Sequence, residues 1–200
     1  MRRLWITGLL AAVMATGAAA ASAPHYDAKG QLLLPADYRE WVFLSSGLDM
    51  SYDPKPGPAS RHVFNNVFVP ADAYRAFLQT GTWPDGTVMM LENRVGGSDA
   101  SINTRGHIQT QEISGLEAHV KDVKRFTGGW GFFAFGHSSE AAPLPYKADC
   151  YGCHQDHAAV DTTFVQFYPT LMPTAARLKT LSAAYLADEA AKAAARPGGR

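Results

Sequence analysis

Two cysteines and a histidine in one short stretch are the residues of this chain whose types and spacing most directly predict chemistry. The stretch ADCYGCHQDH, at positions 148 to 157, contains the only two cysteines of the 200-residue chain, and a histidine follows the second one directly. On a helix, Cys150 and Cys153 share one face one turn apart, and His154 points from the same face. Each thiol can form a thioether with one vinyl group of a haem, and an imidazole is a standard ligand of haem iron. The motif therefore predicts one covalently attached haem c, with Cys150 and Cys153 as the attachment residues and His154 as the iron ligand.

Three other kinds of site use the same residue types. A thioredoxin-like redox pair usually lies early in a βαβ unit, directly after a strand, whereas this motif lies three-quarters of the way along the chain. A zinc site could use Cys150, Cys153 and His157 with one distant histidine, but structural zinc favours a second tight pair of ligands. A short structural disulfide is the third alternative, because exported cysteines commonly pair. The haem motif is the most specific of these interpretations.

The composition and the N-terminal segment indicate an exported globular protein. Lys+Arg and Asp+Glu number 18 each, so nucleic acid is not an expected partner. The start, MRRLWITGLLAAVMATGAAAASAP, has a basic end, a short apolar segment and a run of small residues, which is typical of a secretory signal peptide. We predict a signal peptide over residues 1–21, cleaved after Ala20 or Ala21, and a location in the periplasm. The alternative is an uncleaved membrane anchor, for which the Gly and Ala content makes a weak span.

The rest of the chain must position the motif, and it alternates strand-like with helix-like segments. β-Branched and aromatic content indicates strands, and start and stop residues indicate helices. The predicted strands are 41–44, 61–69, the part of 83–95 that follows a turn at Asp85-Gly86, 107–113 and 130–136. The predicted helices are 70–81, 116–126, the haem motif, 162–169 and a long alanine-rich helix from about Thr174. The expected fold is α+β, a mainly antiparallel β-sheet with flanking helices around the haem. We expect a haem-binding domain over residues 22–173, followed by a C-terminal helix and frayed tail over residues 174–200.

Four segments give the chain a resemblance to a known family. They are GQLLLPADYREWVFLSSGL, HVFNNVFVPADAYRAFLQTGTWPDGTVMMLE, GLEAHVKDVKRFTGGWGFFAFG and ADCYGCHQDHAAVDTTFVQFYPTL, which together run from Gly30 to Leu171. In order and spacing they resemble the cytochrome P-460 family, which includes the β-sheet cytochromes c′ (cytochrome c′-beta). The resemblance implies a mainly antiparallel sheet around one haem c, often in a homodimer. It also implies that His154 is the proximal ligand and that the opposite side of the iron is open or holds water.

One position departs from part of that family. Its hydroxylamine-oxidising members carry a lysine, cross-linked to the haem edge, a few residues after a Gly-Thr turn. Aligned on DGTVMMLEN, that lysine falls at Leu91, and Met89, Met90 and Glu92 beside it are not lysines either. Leucine has no nucleophilic nitrogen, so the cross-link cannot form here. The chain therefore resembles most closely the cytochrome c′-beta type, whose members bind nitric oxide and carbon monoxide.

The strand after that turn predicts the wall of the ligand pocket. Alternate residues of a strand share a face, so Met89 and Leu91 both line the haem pocket if one of them does. Such an apolar wall suits a neutral diatomic ligand, while both residues could instead be ordinary core. Oxidation of hydroxylamine would require a base beside the iron. The candidates for that base are Glu92 and Glu112, and further candidates for the pocket wall are Phe43, Phe64 and Phe68.

Three functions remain open from the sequence. The first is a five-coordinate haem that binds nitric oxide or another small gaseous or nitrogenous ligand, for sensing, buffering or detoxification. The second is a haem oxidoreductase acting on hydroxylamine or peroxide, and the third is an electron-transfer cytochrome with a protein sixth ligand and a redox partner protein. The candidate sixth ligands are Met172, Met50, Met89, Met90, His62 and His107, and the candidate partners of a haem propionate are Lys121, Lys124 and Arg125.

Overall fold

A five-stranded antiparallel sheet forms the centre of the molecule. The computed structural model describes residues 23–53, 55–146 and 148–195, with the backbone alone at Asp149. In chain order the elements are β1 (Leu32–Leu33), β2 (Val42–Leu48), β3 (Val63–Val69), α1 (Ala71–Thr80), β4 (Val88–Gly97), β5 (Ile108–Lys121), β6 (Trp130–Ala134), β7 (Glu140–Ala141), α2 (Asp149–His157), α3 (Met172–Leu178) and α4 (Ala183–Ala195). Strands β2 to β6 are neighbours in chain order, and β1 pairs with β7 in a separate small sheet. The predicted α+β fold with an antiparallel sheet is confirmed.

Two predictions fall wholly or partly outside the described residues. They are the signal peptide over residues 1–21 and the end of the C-terminal tail, residues 196–200. Within the part of the chain that the structure describes, no helix is both long enough and apolar enough to span a bilayer.

The central sheet separates two hydrophobic clusters. One cluster lies under α1 and α3 and includes Phe77, Trp83 and Met89, and the other includes Met90 and Phe133. Successive residues of β4 show the division, because Met89 points into the first cluster and Met90 into the second, as the two-residue period of a strand requires. The two faces of the sheet therefore pack against different sets of residues.

The helix predicted over residues 116–126 is wrong. Residues as far as Lys121 continue β5, which pairs with β4 on one side and β6 on the other. Leu116, Ala118 and Val120 alternate into the second cluster, while Glu117 lies on the opposite face. The alternating charges of this segment suit a helix surface as well as a strand, and the hydrogen bonds to two neighbouring strands decide for the strand.

The C-terminal third departs from its predicted helices in two places. Residues 162–169 contain only a short 3₁₀ turn, Val165–Phe167, instead of a helix. The single alanine-rich helix is divided into α3 and α4, because Lys179 adopts a left-handed conformation (φ 59°) and ends α3. Two hydroxyls then hold the connection in place, since Thr180 donates to the Gly81 carbonyl at 2.8 Å and Ser182 donates to the Ala158 carbonyl at 2.7 Å. Such side-chain bonds compete with continuation of the helix.

The helices nearest the candidate site form as predicted. Helix α1 follows Pro70 and ends at Gly81, whose φ of 74° favours glycine and whose N–H donates to the Phe77 carbonyl. Helix α2 contains the whole CxxCH motif. Its last turn is joined to α4 by a hydrogen bond of 2.6 Å between His157 Nδ1 and Asp188 Oδ2. The motif is thus held between the sheet and the C-terminal helix.

Candidate haem site

A cavity of about 510 Å³ lies between α2 and one face of the central sheet. All five residues predicted to contact the haem line it, with Cys150, Cys153 and His154 on the helix side and Met89 and Leu91 on β4. Five neighbouring strands and a short helix, far apart in sequence, therefore converge on one space. Whether these five residues bind a haem stays a prediction of the motif, and the cavity supplies the place for it.

Helix α2 packs on β6 through Tyr151, while its three motif residues line the cavity. Tyr151, between the two cysteines, is buried, and its ring lies 6.0 Å from Phe132 and 4.4 Å from Tyr146, centroid to centroid. Both cysteines are free thiols. Burial, with the nearby Asp156 and Cys150, raises the pKa of the Cys153 thiol. Neither cysteine is tied up in a disulfide, so both sulfurs are available for thioether formation.

His154 is oriented by a backbone carbonyl. Its Nδ1 lies 2.8 Å from the Thr162 carbonyl oxygen. A carbonyl oxygen only accepts, so Nδ1 carries the proton and Nε2 keeps its lone pair for a metal. Burial lowers the pKa of His154, and the bond to Thr162 partly offsets that effect. The imidazole is therefore held neutral, in the tautomer that an iron ligand requires.

The turn that carries this carbonyl is an unusual one, and no pattern in the sequence predicted it. Val160 and Thr163 form a two-residue hairpin, with Asp161 and Thr162 at its tip. Both tip residues have positive φ, 53° and 56°. Asn-Gly or Asp-Gly is the usual pair in such a turn, and a β-branched residue at positive φ is a genuine outlier. The Thr162 hydroxyl is also buried without a hydrogen-bond partner among the described residues.

The sheet wall of the cavity changes character with distance from His154. Beside His154 the wall is aromatic, because the rings of Phe132 and His119 lie 4.9 and 5.0 Å from the His154 ring. His119 pairs with Met89 across the sheet, so Met89 belongs to this same row. Burial, together with the nearby His154, lowers the pKa of His119 well below its ordinary value. Its Nε2 is buried without a hydrogen-bond partner in the described part of the chain.

The next rows along the strands combine apolar and polar groups. Leu91 pairs with Val67 on one side and with Glu117 on the other. The carboxylate of Glu117 therefore lies directly beside Leu91, which the sequence predicted to line the pocket. Asn65 Nδ2 donates to Asn93 Oδ1 at 2.8 Å, and Asn93 Nδ2 donates to Glu117 Oε1 at 3.0 Å. This chain of hydrogen bonds fixes one carboxylate oxygen of Glu117. The predicted apolar wall is therefore only part of the surface.

Glu117 is the acidic residue that sequence reasoning missed. Its neighbours Leu116 and Ala118 are buried in the second cluster, so the period of two could have placed Glu117 on the cavity face. The prediction of a helix across these residues concealed that pattern. Of the two acids named instead, Glu112 does not line the cavity and pairs with Arg61, and Glu92 lies on the far face of the sheet.

Glu92 is completely buried in a hydrogen-bonded cluster of its own. Its carboxylate accepts from the Tyr38 hydroxyl at 2.7 Å, from Arg94 at 2.7 and 2.9 Å, from Asn66 at 3.2 Å, and from Arg39. Burial raises the pKa of Glu92, but the bonds from Arg94, Tyr38, Arg39 and Asn66 outweigh it and lower the pKa to about 2. With so low a pKa and so many hydrogen bonds, Glu92 has a structural role. The prediction that it could be the catalytic base is wrong.

Three of the six candidate sixth ligands, and the three phenylalanines considered for the pocket wall, do not line the cavity. Met172 packs on the first hydrophobic cluster, and His62 stacks on His107 at 3.7 Å between ring centroids. Of the methionines on the cavity wall, Met50 packs against Gly47 at the far end from His154. Phe68 packs on both Phe43 and Tyr38, away from the cavity.

Of the basic residues considered for a propionate, Lys121 and Arg125 are engaged elsewhere, as is His157, and Lys124 is exposed and does not line the cavity. Lys121 is bonded to Asp161 and to the Trp83 carbonyl, and Arg125 stacks over Tyr26. His157 is bonded to Asp188. Among the described residues, no group of three or more His, Cys, Asp or Glu is arranged to hold a metal ion, and the zinc alternative requires such a group.

Comparison with the sequence models of known families gives a match. The sequence model of the family described as Cytochrome P460 matches residues 35–165, more than half of the chain. The matched span covers β2 to β6, the whole of α2 and the Thr162 turn, and hence all the residues of the site described above. A search of curated proteins found no match.

Proposed function

Because the chain belongs to the cytochrome P460 family and is a haem-containing c-type cytochrome, we propose that it carries one haem c, joined through thioethers to Cys150 and Cys153 and ligated by His154. The two free thiols on one face of α2 and the unprotonated Nε2 of His154 support this assignment. A periplasmic location follows from the predicted signal peptide. The test is extraction of the haem into acidified organic solvent, which removes non-covalent haem only. Wild-type protein should retain its haem, and the variant with Cys150→Ser and Cys153→Ser should release it.

We propose that the position opposite His154 binds nitric oxide or a similar small neutral ligand. The observation that carries this proposal is the cavity itself, which extends beyond the row of His119 and Met89 to Leu91, Val67 and Glu117. Leu91 stands where the cross-linking lysine of other family members aligns, and it lies on the cavity wall. Its leucine side chain leaves the haem edge unmodified and leaves an apolar surface on which water binds weakly. A neutral diatomic ligand needs no charged partner in such a place.

Glu117 gives specific support to a second candidate, an oxidoreductase acting on hydroxylamine. Oxidation of hydroxylamine removes protons together with electrons, so it requires a proton acceptor next to the bound substrate. The bond from Asn93 to one oxygen of Glu117 leaves the other oxygen available to the cavity. The haem would take up the electrons and pass them to a redox partner protein, while Glu117 would accept the proton. The two candidates share one site and differ in whether Glu117 takes part.

Optical spectra distinguish an open haem from an electron-transfer haem. The gas-binding proposal predicts a high-spin, five-coordinate ferrous spectrum that changes on addition of nitric oxide. A low-spin spectrum that nitric oxide leaves unchanged would contradict it. Met50→Leu then tests the one methionine at the far end of the cavity, because a shift from low to high spin in this variant would identify Met50 as the sixth ligand.

Turnover distinguishes gas binding from catalysis. If Glu117 is the base, Glu117→Gln should lower the rate of hydroxylamine oxidation, measured with an added electron acceptor, by roughly 10²–10⁴. Glu112→Gln is the matched control, since it removes an exposed carboxylate on the same strand, and it should leave the rate unchanged. No turnover in the wild type would leave gas binding as the function. We also propose a homodimer on the family resemblance, which sedimentation velocity would test.

A further inference from the structure

The hairpin at Asp161–Thr162 adopts a costly conformation at the place where it contacts His154. Positive φ at a non-glycine residue costs on the order of 1–3 kcal/mol, and such a conformation persists only where surrounding contacts enforce it. Two adjacent residues share it here, and the buried Thr162 hydroxyl has no partner among the described residues. The carbonyl of the same Thr162 accepts the His154 Nδ1 proton. The strained residue Thr162 is therefore the one whose carbonyl bonds the predicted iron ligand, His154.

Polar contacts from β5, from β6 and from the loop before β4 enforce the hairpin. Lys121 Nζ donates to the Asp161 carboxylate and, at 2.7 Å, to the Trp83 carbonyl. The Trp130 indole N–H lies 3.3 Å from the other Asp161 oxygen. The Trp83 indole donates to the Thr163 hydroxyl at 2.8 Å. The charged groups are largely shielded, with the Lys121 side chain 14% exposed and that of Asp161 27% exposed.

We propose that Lys121 and Asp161 are positioning residues for the haem ligand, which they serve by holding the Thr162 carbonyl against His154 Nδ1. This inference rests on the proposed role of His154. An acceptor held firmly at Nδ1 fixes the ring orientation and makes the other nitrogen a stronger donor to the metal. A stronger donor favours the ferric state and strengthens the bond between iron and histidine. The ion pair thereby tunes the iron without touching it.

The test compares three lysine variants in the haem-loaded protein. Lys121→Met removes the cation at nearly constant length, Lys121→Arg keeps it, and Lys124→Met removes an exposed lysine three residues away as a control. The readouts are the iron–histidine stretching band of the ferrous protein by resonance Raman and the reduction potential. Lys121→Met should lower the band frequency and raise the potential, whereas Lys121→Arg and Lys124→Met should stay close to the wild type.

Nitric oxide gives a quantitative version of the same test. The ferrous nitric oxide complex either keeps His154 or loses it, and the two forms differ in their optical and paramagnetic resonance spectra. Loss of an outer partner of a metal ligand typically weakens the metal site 10–100-fold. We therefore expect Lys121→Met to shift the ratio of the two forms roughly tenfold to a hundredfold toward loss of His154.

A second variant keeps the inference testable if Lys121→Met does not fold. Asp161→Asn is isosteric and removes the ion pair alone, and it should change the band and the potential in the same direction. An unchanged band and potential in a folded Asp161→Asn or Lys121→Met protein would overturn the positioning role. If a high-spin, five-coordinate ferrous wild type shows no iron–histidine band, the proposed ligation by His154 fails first. The two failures can therefore be told apart.

Discussion

Replacing Glu92 by glutamine tests whether the buried carboxylate is structural, as its position on the far face of the sheet indicates. The variant keeps the shape of the side chain and leaves Arg94 and Arg39 facing a neutral amide whose N–H group opposes their donors. Removing one partner of a buried ion pair costs about 3–5 kcal/mol. Arg39 is 52% exposed and can turn into water, which puts the expected loss in the free energy of unfolding at the low end, about 3 kcal/mol.

The pKa of Glu92 gives the same magnitude by a second route. A pKa lowered from 4.5 to about 2 in the folded protein corresponds to about 3 kcal/mol of stability at neutral pH. Because the folded pKa is the lower one, this stability is complete above pH 4.5 and is lost as the pH falls toward 2. The difference between wild type and Glu92→Gln should therefore shrink by about 2 kcal/mol between pH 7 and pH 3.

The assay is urea unfolding followed by far-UV circular dichroism at the two pH values. Glu112→Gln is the matched control, because Glu112 and its partner Arg61 are both exposed and such a pair contributes about 0–1 kcal/mol. The haem spectra of Glu92→Gln should equal those of the wild type, since the cluster lies across the sheet from the cavity. A loss below about 1 kcal/mol, or a difference that does not change with pH, would refute the reasoning.

Two further predictions concern the packing that supports the haem helix. Gly128 has a φ of +77°, and a Cβ there would lie 1.7 Å from the Tyr151 hydroxyl, so Gly128→Ala should cost about 2–4 kcal/mol and lower haem incorporation. Gly86→Ala, with a φ of +84° and open space around it, should cost only about 1–2 kcal/mol, and equal losses from the two variants in urea unfolding would contradict the steric argument. Phe77 is fully buried against Trp83, which in turn bonds Thr163 beside the strained turn, so Phe77→Ala should lower the free energy of unfolding by about 3–5 kcal/mol in the same assay. A loss under about 1 kcal/mol would show that the cluster collapses around the gap.

The sequence predicted an element correctly where the residues that define it are neighbours in the chain. Helix α1, with proline before it and glycine after it, and the strands β3, β4 and β6 formed where their composition indicated. The segment 116–126 did not, because its charges fit either period and only pairing with β4 and β6 selected the strand. The alanine-rich C-terminal segment has high helix propensity throughout, yet tertiary bonds from Thr180 and Ser182 interrupt it.

The candidate site likewise combines a part that the sequence predicts and a part that only the tertiary structure determines. The sequence by itself determined the motif, because Cys150, Cys153 and His154 lie within five residues and the geometry of one helix turn places them together. Tertiary structure decided what surrounds them. Strand register set Glu117 beside Leu91 and turned Glu92 to the opposite face, and a strained hairpin brought the Thr162 carbonyl to His154. Register and strain depend on contacts among residues far apart in the chain, and no local pattern of residue types records them.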